Sequence, residues 1–137
     1  MTKQNQALAC PCGRLTGKRV SAYVDCCGRY LENFGDNPAP DAESLMRSRY
    51  SAFVLERADY LLATWDPAHR PATLDFDEGM KWLGLDIRAA PPADGNHAEV
   101  EFVARSRMHG KANRLHERSR FVRRDGRWFY TDGEILK

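Results

Sequence analysis

Four cysteines make up the clearest chemical pattern of this chain, which has 137 residues. They form a Cys-x-Cys pair near the start of the sequence and an adjacent Cys-Cys pair further along. Zn²⁺ takes four thiolates in a closed tetrahedral site and usually receives them as two local pairs. Gly13 and Gly28 directly follow the pairs, where a backbone turning back towards a metal needs a positive φ angle or a close approach. The sequence therefore predicts a structural zinc site with the ligands Cys10, Cys12, Cys26 and Cys27.

Three other uses of these cysteines stay open. Two disulfides would need an oxidising compartment, and residues 1–9 hold no apolar run of the kind that secretion signals have. A redox thiol pair is the second alternative, because a Cys-x-Cys sequence can exchange disulfides. An iron–sulfur cluster is the third. Four thiolates on one Zn²⁺ leave surplus negative charge, and four nearby basic residues are candidates to neutralise it: Arg14, Lys18, Arg19 and Arg29.

The size and charge of the chain limit the classes of function. Its length fits one domain, or one domain with a small module. The formal net charge of +2 and a pI of about 8.4 make no strong electrostatic case for nucleic acid. No apolar run approaches the roughly 20 residues of a membrane helix. We therefore expect a cytoplasmic protein without membrane insertion.

The breaker-rich run of residues 35–40 divides the chain in two. Residues 1–35 are expected to hold a loosely docked tail, up to about residue 8, and the zinc knuckle, with a short helix beginning at the second cysteine pair. Residues 36–137 are expected to form an α+β domain. Asp41 is a good N-cap for a helix over residues 42–52 that continues to Leu55. Two further helices are predicted over residues 58–64 and 75–83, the latter containing Trp82.

An antiparallel sheet is predicted for the rest of the chain. Its strands are expected around residues 85–87, at 100–108, at 114–123 and at 127–131, with Gly110 and Asn113 in a connection. The Asp125-Gly126 pair is typical of a two-residue hairpin turn, which would place Val122 opposite Phe129.

The same alternation predicts an internal pocket. Leu115 and Phe121 are expected to be buried. Alternate residues of a strand lie on the same face, so Glu117 and Ser119 are expected to point inwards as well. A buried carboxylate needs a partner, and Arg47 or Arg49 on the first long helix is the expected one. His116, on the opposite face, cannot share a reacting atom with Glu117. The pocket candidates are Arg47, Arg49, Tyr50, Trp65, Glu117, Ser119 and Tyr130; tyrosine and tryptophan at these positions are also typical of a plain core.

These motifs together resemble a known bacterial family. The segments that carry the resemblance are Cys10-Pro11-Cys12-Gly13, residues 23–28, the run Leu45 to Phe53, Tyr60-Leu61, Thr64-Trp65, residues 116–119 and residues 126–133. They are similar to the YchJ-type proteins, which pair a SEC-C zinc motif with an NTF2-like domain. The resemblance implies four zinc ligands, a curved sheet and helices that close over its concave face, and it implies no particular reaction.

Two classes of function follow from these expectations. The first is a protein-interaction or adaptor module, in which zinc is structural and the knuckle and a basic sheet face dock a protein partner. That face is expected to carry Arg105, Arg107, Arg114, Arg118, Arg120, Arg123, Arg124 and Arg127, and it could also meet an RNA backbone. The second is a small-ligand-binding protein or enzyme that uses the NTF2-like cavity through Glu117, Arg47 and Arg49. No catalytic residue is assigned, and the sequence favours the first class.

Overall fold

The protein combines a small cysteine-rich module with a helix-covered antiparallel sheet. This computed structural model describes residues 8–136, so residues 1–7 of the expected tail lie outside the described residues. The elements are β1 (Leu15–Thr16), β2 (Arg19–Val20), α1 (Gly28–Leu31), α2 (Ala42–Val54), α3 (Ala58–Ala63), β3 (Met80–Ala89), β4 (His97–Met108), β5 (Lys111–Arg124) and β6 (Arg127–Ile135). The last four strands form one sheet in the order β3-β4-β5-β6. The predicted α+β class is confirmed.

Helix α2 begins where the sequence predicts. The Asp41 side chain accepts a hydrogen bond of 2.7 Å from the backbone N–H of Ser44, which satisfies one donor of the first turn. Leu45 and Met46 face the core with only 1% and 7% of their surfaces exposed. The predicted short helix after the second cysteine pair is also present, as α1.

The final hairpin follows the predicted register. Asp125 and Gly126 both have positive φ angles, 51° and 79°, as a tight turn between twisted strands requires. Val122 lies opposite Phe129, and Phe121 lies opposite Tyr130. This register turns the side chains of alternate residues towards α2, which is what builds the interior of the domain.

Two local predictions are wrong. Residues 75–83 do not form a helix: β3 begins at Met80, and Trp82 pairs with Ser106 of β4. This segment is too short for its pattern of apolar residues to distinguish a helix from a strand. Its pairing with β4 makes it a strand. Asn113 lies within β5, because the connection is a tight turn at His109 and Gly110 with φ angles of 51° and 84°.

The cysteine-rich module packs directly on α2. The Arg14 guanidinium donates hydrogen bonds to Ser44 Oγ (3.2 Å) and Glu43 Oε2 (3.4 Å). Tyr30 and Leu31 of α1 belong to the same buried cluster as Leu45. The division at residues 35/36 therefore stays a prediction about domains, and the two parts share one continuous core.

No helix in the part of the chain that the structure describes is both long enough and apolar enough to cross a membrane.

Candidate metal centre and internal cavity

The four cysteine sulfurs converge at one buried point. All four Sγ atoms lie within 4.8 Å of one another, and each cysteine is buried. Cys12 Sγ and Cys26 Sγ are 3.6 Å apart. A tetrahedron with Zn–S bonds of about 2.3 Å has edges of about 3.8 Å. The cysteines are reduced, and the donor set and spacing fit a four-thiolate metal site.

Local backbone geometry aims the thiols at this point. Gly13 has a φ of 76°, and the N–H of Arg14 that follows it points at Cys12 Sγ from 3.5 Å. Gly28 serves through close approach, because a Cβ atom there would lie 2.9 Å from the ring of Tyr23. Both glycines thus play the roles that the sequence suggested, one by conformation and the other by proximity.

The thiols share protons unevenly. Hydrogen bonds from Cys12 and Cys27 lower the pKa of Cys10, whereas the hydrogen bonds that Cys27 makes to Cys10 and its other neighbours raise its own pKa. Protons alone therefore leave this cluster with mixed ionisation, because adjacent thiolates repel one another. A dication at the centre would favour the ionised form of every thiol.

Arg47 lies on the metal side of α2 and not in the pocket, so its predicted place there is wrong. Its Nη1 lies 3.3 Å from the carbonyl oxygen of Cys12 and 4.0 Å from Cys12 Sγ, and its Nε donates to Glu43 Oε2 at 2.9 Å. Burial opposes its charge, but the hydrogen bonds to Glu43 and Cys12 outweigh that effect and raise the Arg47 pKa. The cation nearest to a thiol therefore comes from the helix. The guanidinium of Arg14 is held by Ser44 and Glu43 instead.

The other side of α2 faces a cavity of about 280 Å³ between the helix and the sheet. Every predicted pocket residue except Arg47 lines it: Arg49, Tyr50, Trp65, Glu117, Ser119 and Tyr130. The apolar part of the wall was missed as a pocket surface, and it consists of Met46, Phe53, Trp82, Phe102, Ala104 and Leu115. The alternation of residues along β4 and β5 indicates that Phe102, Ala104 and Leu115 face inwards. It could not do so for Trp82, because that residue was predicted to lie in a helix.

Arg49 is the most deeply buried charge in this cavity. Only 3% of its surface is exposed. Its Nη1 donates to the carbonyl of Leu61 (2.8 Å) and to Thr64 Oγ1 (2.7 Å). Its Cζ lies 5.2 Å from the centroid of the Trp65 ring and 4.6 Å from that of Tyr130. Burial lowers its pKa to about 10, because removal from water disfavours the cation.

Glu117 lines the cavity, as its parity predicts, but the predicted ion pair with Arg47 or Arg49 is wrong. Within residues 8–136, no arginine nitrogen lies within 4.0 Å of its carboxylate. Glu117 Oε2 instead accepts hydrogen bonds from Ser119 Oγ (2.7 Å) and Tyr130 O–H (3.5 Å). These neutral donors, together with partial exposure, satisfy the carboxylate without a cation. Burial and the nearby Glu117 charge raise the pKa of Tyr130 to about 12.

The outer face of the sheet is less basic than the sequence suggests. Arg118 lies 3.6 Å from Glu134 and 3.9 Å from both Glu99 and Glu101, and Arg120 lies 2.9 Å from Asp132. These acids come from the neighbouring strands, so the charges alternate across the face. The arrangement is typical of a solvated ion-pair network.

His116 takes part in this outer network. Its Nε2 lies 2.7 Å from Glu101 Oε2, while Glu117 points the opposite way into the cavity. The two neighbours therefore lie on different faces, as the period of a strand demands.

A family model describing the middle NTF2-like domain of YchJ matches residues 41–133. Similar full chains include a UPF0225 protein of a Polaromonas species, 63% identical with 91% of both chains covered. A UPF0225 protein of Chromobacterium violaceum is 50% identical, with 98% of both chains covered.

Two solved structures share the architecture. The solution structure of a SEC-C motif containing protein from Rhodopseudomonas palustris has a TM-score of 0.78 and 34% identity, covering 95% of this chain and 100% of that one. The crystal structure of a SEC-C motif containing protein from Psychrobacter arcticus has a TM-score of 0.79 and 29% identity, covering 98% of this chain and 86% of that one. The similarity thus spans both the cysteine cluster and the sheet domain.

Proposed function

This chain belongs to the UPF0225 family of YchJ-like proteins, and on that premise we propose that it is a cytoplasmic small-molecule-binding protein. Its NTF2-like cavity is the binding site, and a structural zinc ion stabilises the N-terminal module, which packs against the helix that roofs this cavity. The observation that carries the proposal is the cavity of about 280 Å³, in which buried Arg49 and inward-facing Glu117 form no direct ion pair.

The metal part of the proposal rests on the donor set. Among the described residues, four thiols and no other ligand type meet at the site, and a four-thiolate shell leaves no open position for a substrate. The bound metal would supply a cross-link between the two cysteine pairs, and Cys10, Cys12, Cys26 and Cys27 would hold it. A reducing compartment such as the cytoplasm keeps these thiols available for a metal.

The ligand part of the proposal rests on the composition of the cavity wall. Most of the wall is apolar and aromatic, and a few polar groups converge on one space. This combination is typical of small-molecule sites. A core that served packing alone would be expected to fill such a space, because voids in protein interiors are costly.

Native mass spectrometry of the protein as purified from its source tests both parts. We expect the chain to carry one Zn²⁺ and one small molecule. Ala104, which is 2% exposed and lines the cavity, offers a specific variant: Ala104→Leu should lose the small molecule and keep the zinc. Ala112→Leu, on an exposed position of β5, is the matched control and should keep both. A small molecule absent from the wild type, or retained by Ala104→Leu, would count against the cavity as the site.

An adaptor role is the second candidate, and one surface feature favours it. The outer side of the cysteine-rich module exposes apolar side chains: Leu15 (60% exposed), Val20 (43%) and Val24 (41%). Leu15 and Val20 are direct partners in the β1–β2 hairpin. Exposed apolar groups that cluster on one small module are a feature of protein-docking surfaces.

Site-specific cross-linking in the source cells tests the adaptor role. A photo-reactive phenylalanine analogue at position 15 should give one discrete adduct, and Val20→Ser should weaken it. The same analogue at Leu83, which is 44% exposed on β3, serves as the control. Equal labelling from both positions would argue against a partner on this surface.

A further inference from the structure

Arg49 is a buried cation that forms no direct ion pair. Within residues 8–136, only Nη1 of its side chain donates hydrogen bonds, and no carboxylate oxygen lies within 4.0 Å of its guanidinium. Burial has the largest effect on the Arg49 pKa and lowers it, whereas the more distant charge of Glu117 has a smaller and opposite effect. Stacking on Trp65 and Tyr130 offsets part of the desolvation cost. Removal of an unpaired charge from water still costs several kcal/mol after relaxation. A charge kept at that cost is typical of a group that awaits a charged ligand.

Tyr130 separates this cation from Glu117. Its ring lies 4.6 Å from Arg49 Cζ, while its hydroxyl donates to Glu117 Oε2 at 3.5 Å. The cavity consequently has a donor end at Arg49 and an acceptor end at Glu117. A ligand that satisfies both ends needs an acceptor group at one side and a donor group at the other.

The wall between these ends accepts a flat apolar body. Tyr50 and Phe53 both pack against the Trp82 ring, with centroids 5.7 Å and 5.9 Å apart, and Phe102 and Leu115 continue the wall from the sheet. A volume of about 280 Å³ lies at the lower end of the range of small-molecule sites. That space suits one small ring with its substituents.

We propose that the cavity binds a small aromatic carboxylic acid that carries a hydroxyl or similar donor group, with its carboxylate on Arg49 and its donor on Glu117. This assignment rests on the proposed function, because it names the ligand class of the same cavity. A planar guanidinium matches a carboxylate with parallel hydrogen bonds. An inorganic anion would leave the apolar wall without a partner, and a cationic amine would satisfy Glu117 but leave Arg49 without an anion.

Nuclear magnetic resonance titration of the zinc-loaded protein tests the ligand class with matched probes. The probes are 4-hydroxybenzoate, its neutral analogue 4-hydroxybenzamide, the cation 4-hydroxybenzylamine and inorganic phosphate. Charge-assisted hydrogen bonds contribute enough that the acid should bind at least about tenfold more tightly than the amide. Shifts should concentrate on the amides of residues 102–104 and 115–119, which border the cavity.

Matched arginine variants give the controls. Arg49→Met should make acid and amide bind equally, whereas Arg88→Met, at an exposed position of β3 outside the cavity, should preserve the preference for the acid. Arg49→Lys keeps the charge without the planar group and should retain only part of the preference. If Arg49→Met does not fold, the wild-type probe series together with Arg49→Lys decides the question.

The remaining outcomes of the titration would contradict either the ligand class or the proposed function itself. Equal affinity for acid and amide in the wild type would refute the carboxylate assignment and leave the proposed cavity function standing. The same holds if the amine binds best or if phosphate saturates the site. Binding of none of the probes, together with native mass spectra that contain no small molecule, would refute the proposed function itself.

Discussion

The two sides of helix α2 build their sites in opposite ways. On one side, Ser51 and Arg47 contact Cys10 and Cys12, so the helix supports a cluster of like groups that converge on one point. On the other side, Arg49 and Tyr50 face a cavity whose polar groups remain apart. A bound metal would satisfy the thiol cluster, whereas the cavity retains the charge of Arg49, which no carboxylate of the described residues contacts within 4.0 Å.

On the proposed function, this difference separates a site that serves stability from a site that serves binding. A closed metal cluster contributes to folding, because its ligands come together only in the folded chain. An unpaired buried cation lowers stability, and proteins keep such groups where binding requires them. We therefore expect variants on the two sides of α2 to separate into losses of stability and losses of binding.

Metal removal should have the largest effect on stability. If the two sides of α2 fold as one unit, it should destabilise both, and the contrast between them would not hold. Structural zinc supplies about 10–16 kcal/mol of binding free energy in small domains. Chelation should therefore unfold residues 9–31 and leave β4 and β5 folded. Hydrogen–deuterium exchange with mass spectrometry, with and without a chelator, measures this directly. Loss of protection in β4 at the same rate would mean that the shared core couples the two parts.

The arginines of α2 offer the sharpest separation. The Arg49 pKa falls from 12.5 to about 10, which corresponds to a penalty of about 3 kcal/mol for the buried cation. Arg49→Met relieves this penalty but leaves the Leu61 carbonyl without its donor, at about 1–3 kcal/mol. Stability should therefore stay within about 1 kcal/mol of the wild type or rise.

Arg47→Met is the matched substitution and should behave in the opposite way. It removes the donor to Glu43 and to the Cys12 carbonyl, which should cost about 1–3 kcal/mol. Chemical denaturation of both variants provides the measurement. A large loss of stability for Arg49→Met alone would show that Arg49 is structural and would reverse the comparison.

The sequence predicted most of this arrangement, and its failures have physical causes. The thiol cluster could be predicted because its cysteines and glycines are close in sequence. The hairpin register could be predicted from Asp125-Gly126. The side of α2 on which Arg47 lies could not be predicted from the sequence. Neighbouring helix positions differ by about 100°, and only packing decides which of them faces the sheet. The predicted Glu117 ion pair failed because Ser119 and Tyr130 already satisfy the carboxylate.

Strain in the turn that ends β5 should reduce stability by about as much as Arg47→Met, and only on the cavity side. Gly126 has a φ of 79°, which a β-branched residue adopts only with strain. Gly126→Val should cost about 1–3 kcal/mol. Gly126→Asn is the control for Gly126→Val, because asparagine tolerates this left-handed conformation and should cost less. Thermal unfolding followed by circular dichroism measures the loss, and the metal content should not change. An unchanged midpoint for the valine variant would contradict the tight turn.

Glu117→Gln should have the smallest effect on stability. The carboxylate takes its hydrogen bonds from Ser119 and Tyr130, and a glutamine oxygen accepts the same two bonds. We therefore expect a change below about 1 kcal/mol. An ion pair with Arg49 would instead make the loss about 3–5 kcal/mol, because the partner charge would stay buried.

A double-mutant cycle between Glu117→Gln and Arg49→Met decides between these two cases. The two side chains share no direct contact in the structure, and Tyr130 lies between them. Residues that share a partner can couple by about 0.5–3 kcal/mol. Because only Tyr130 links the two side chains, the double variant should differ from the sum of the single effects by no more than about 1 kcal/mol in chemical denaturation. A coupling energy of several kcal/mol would establish a direct pair, and it would remove the unpaired charge that distinguishes the cavity side of α2 from the metal side.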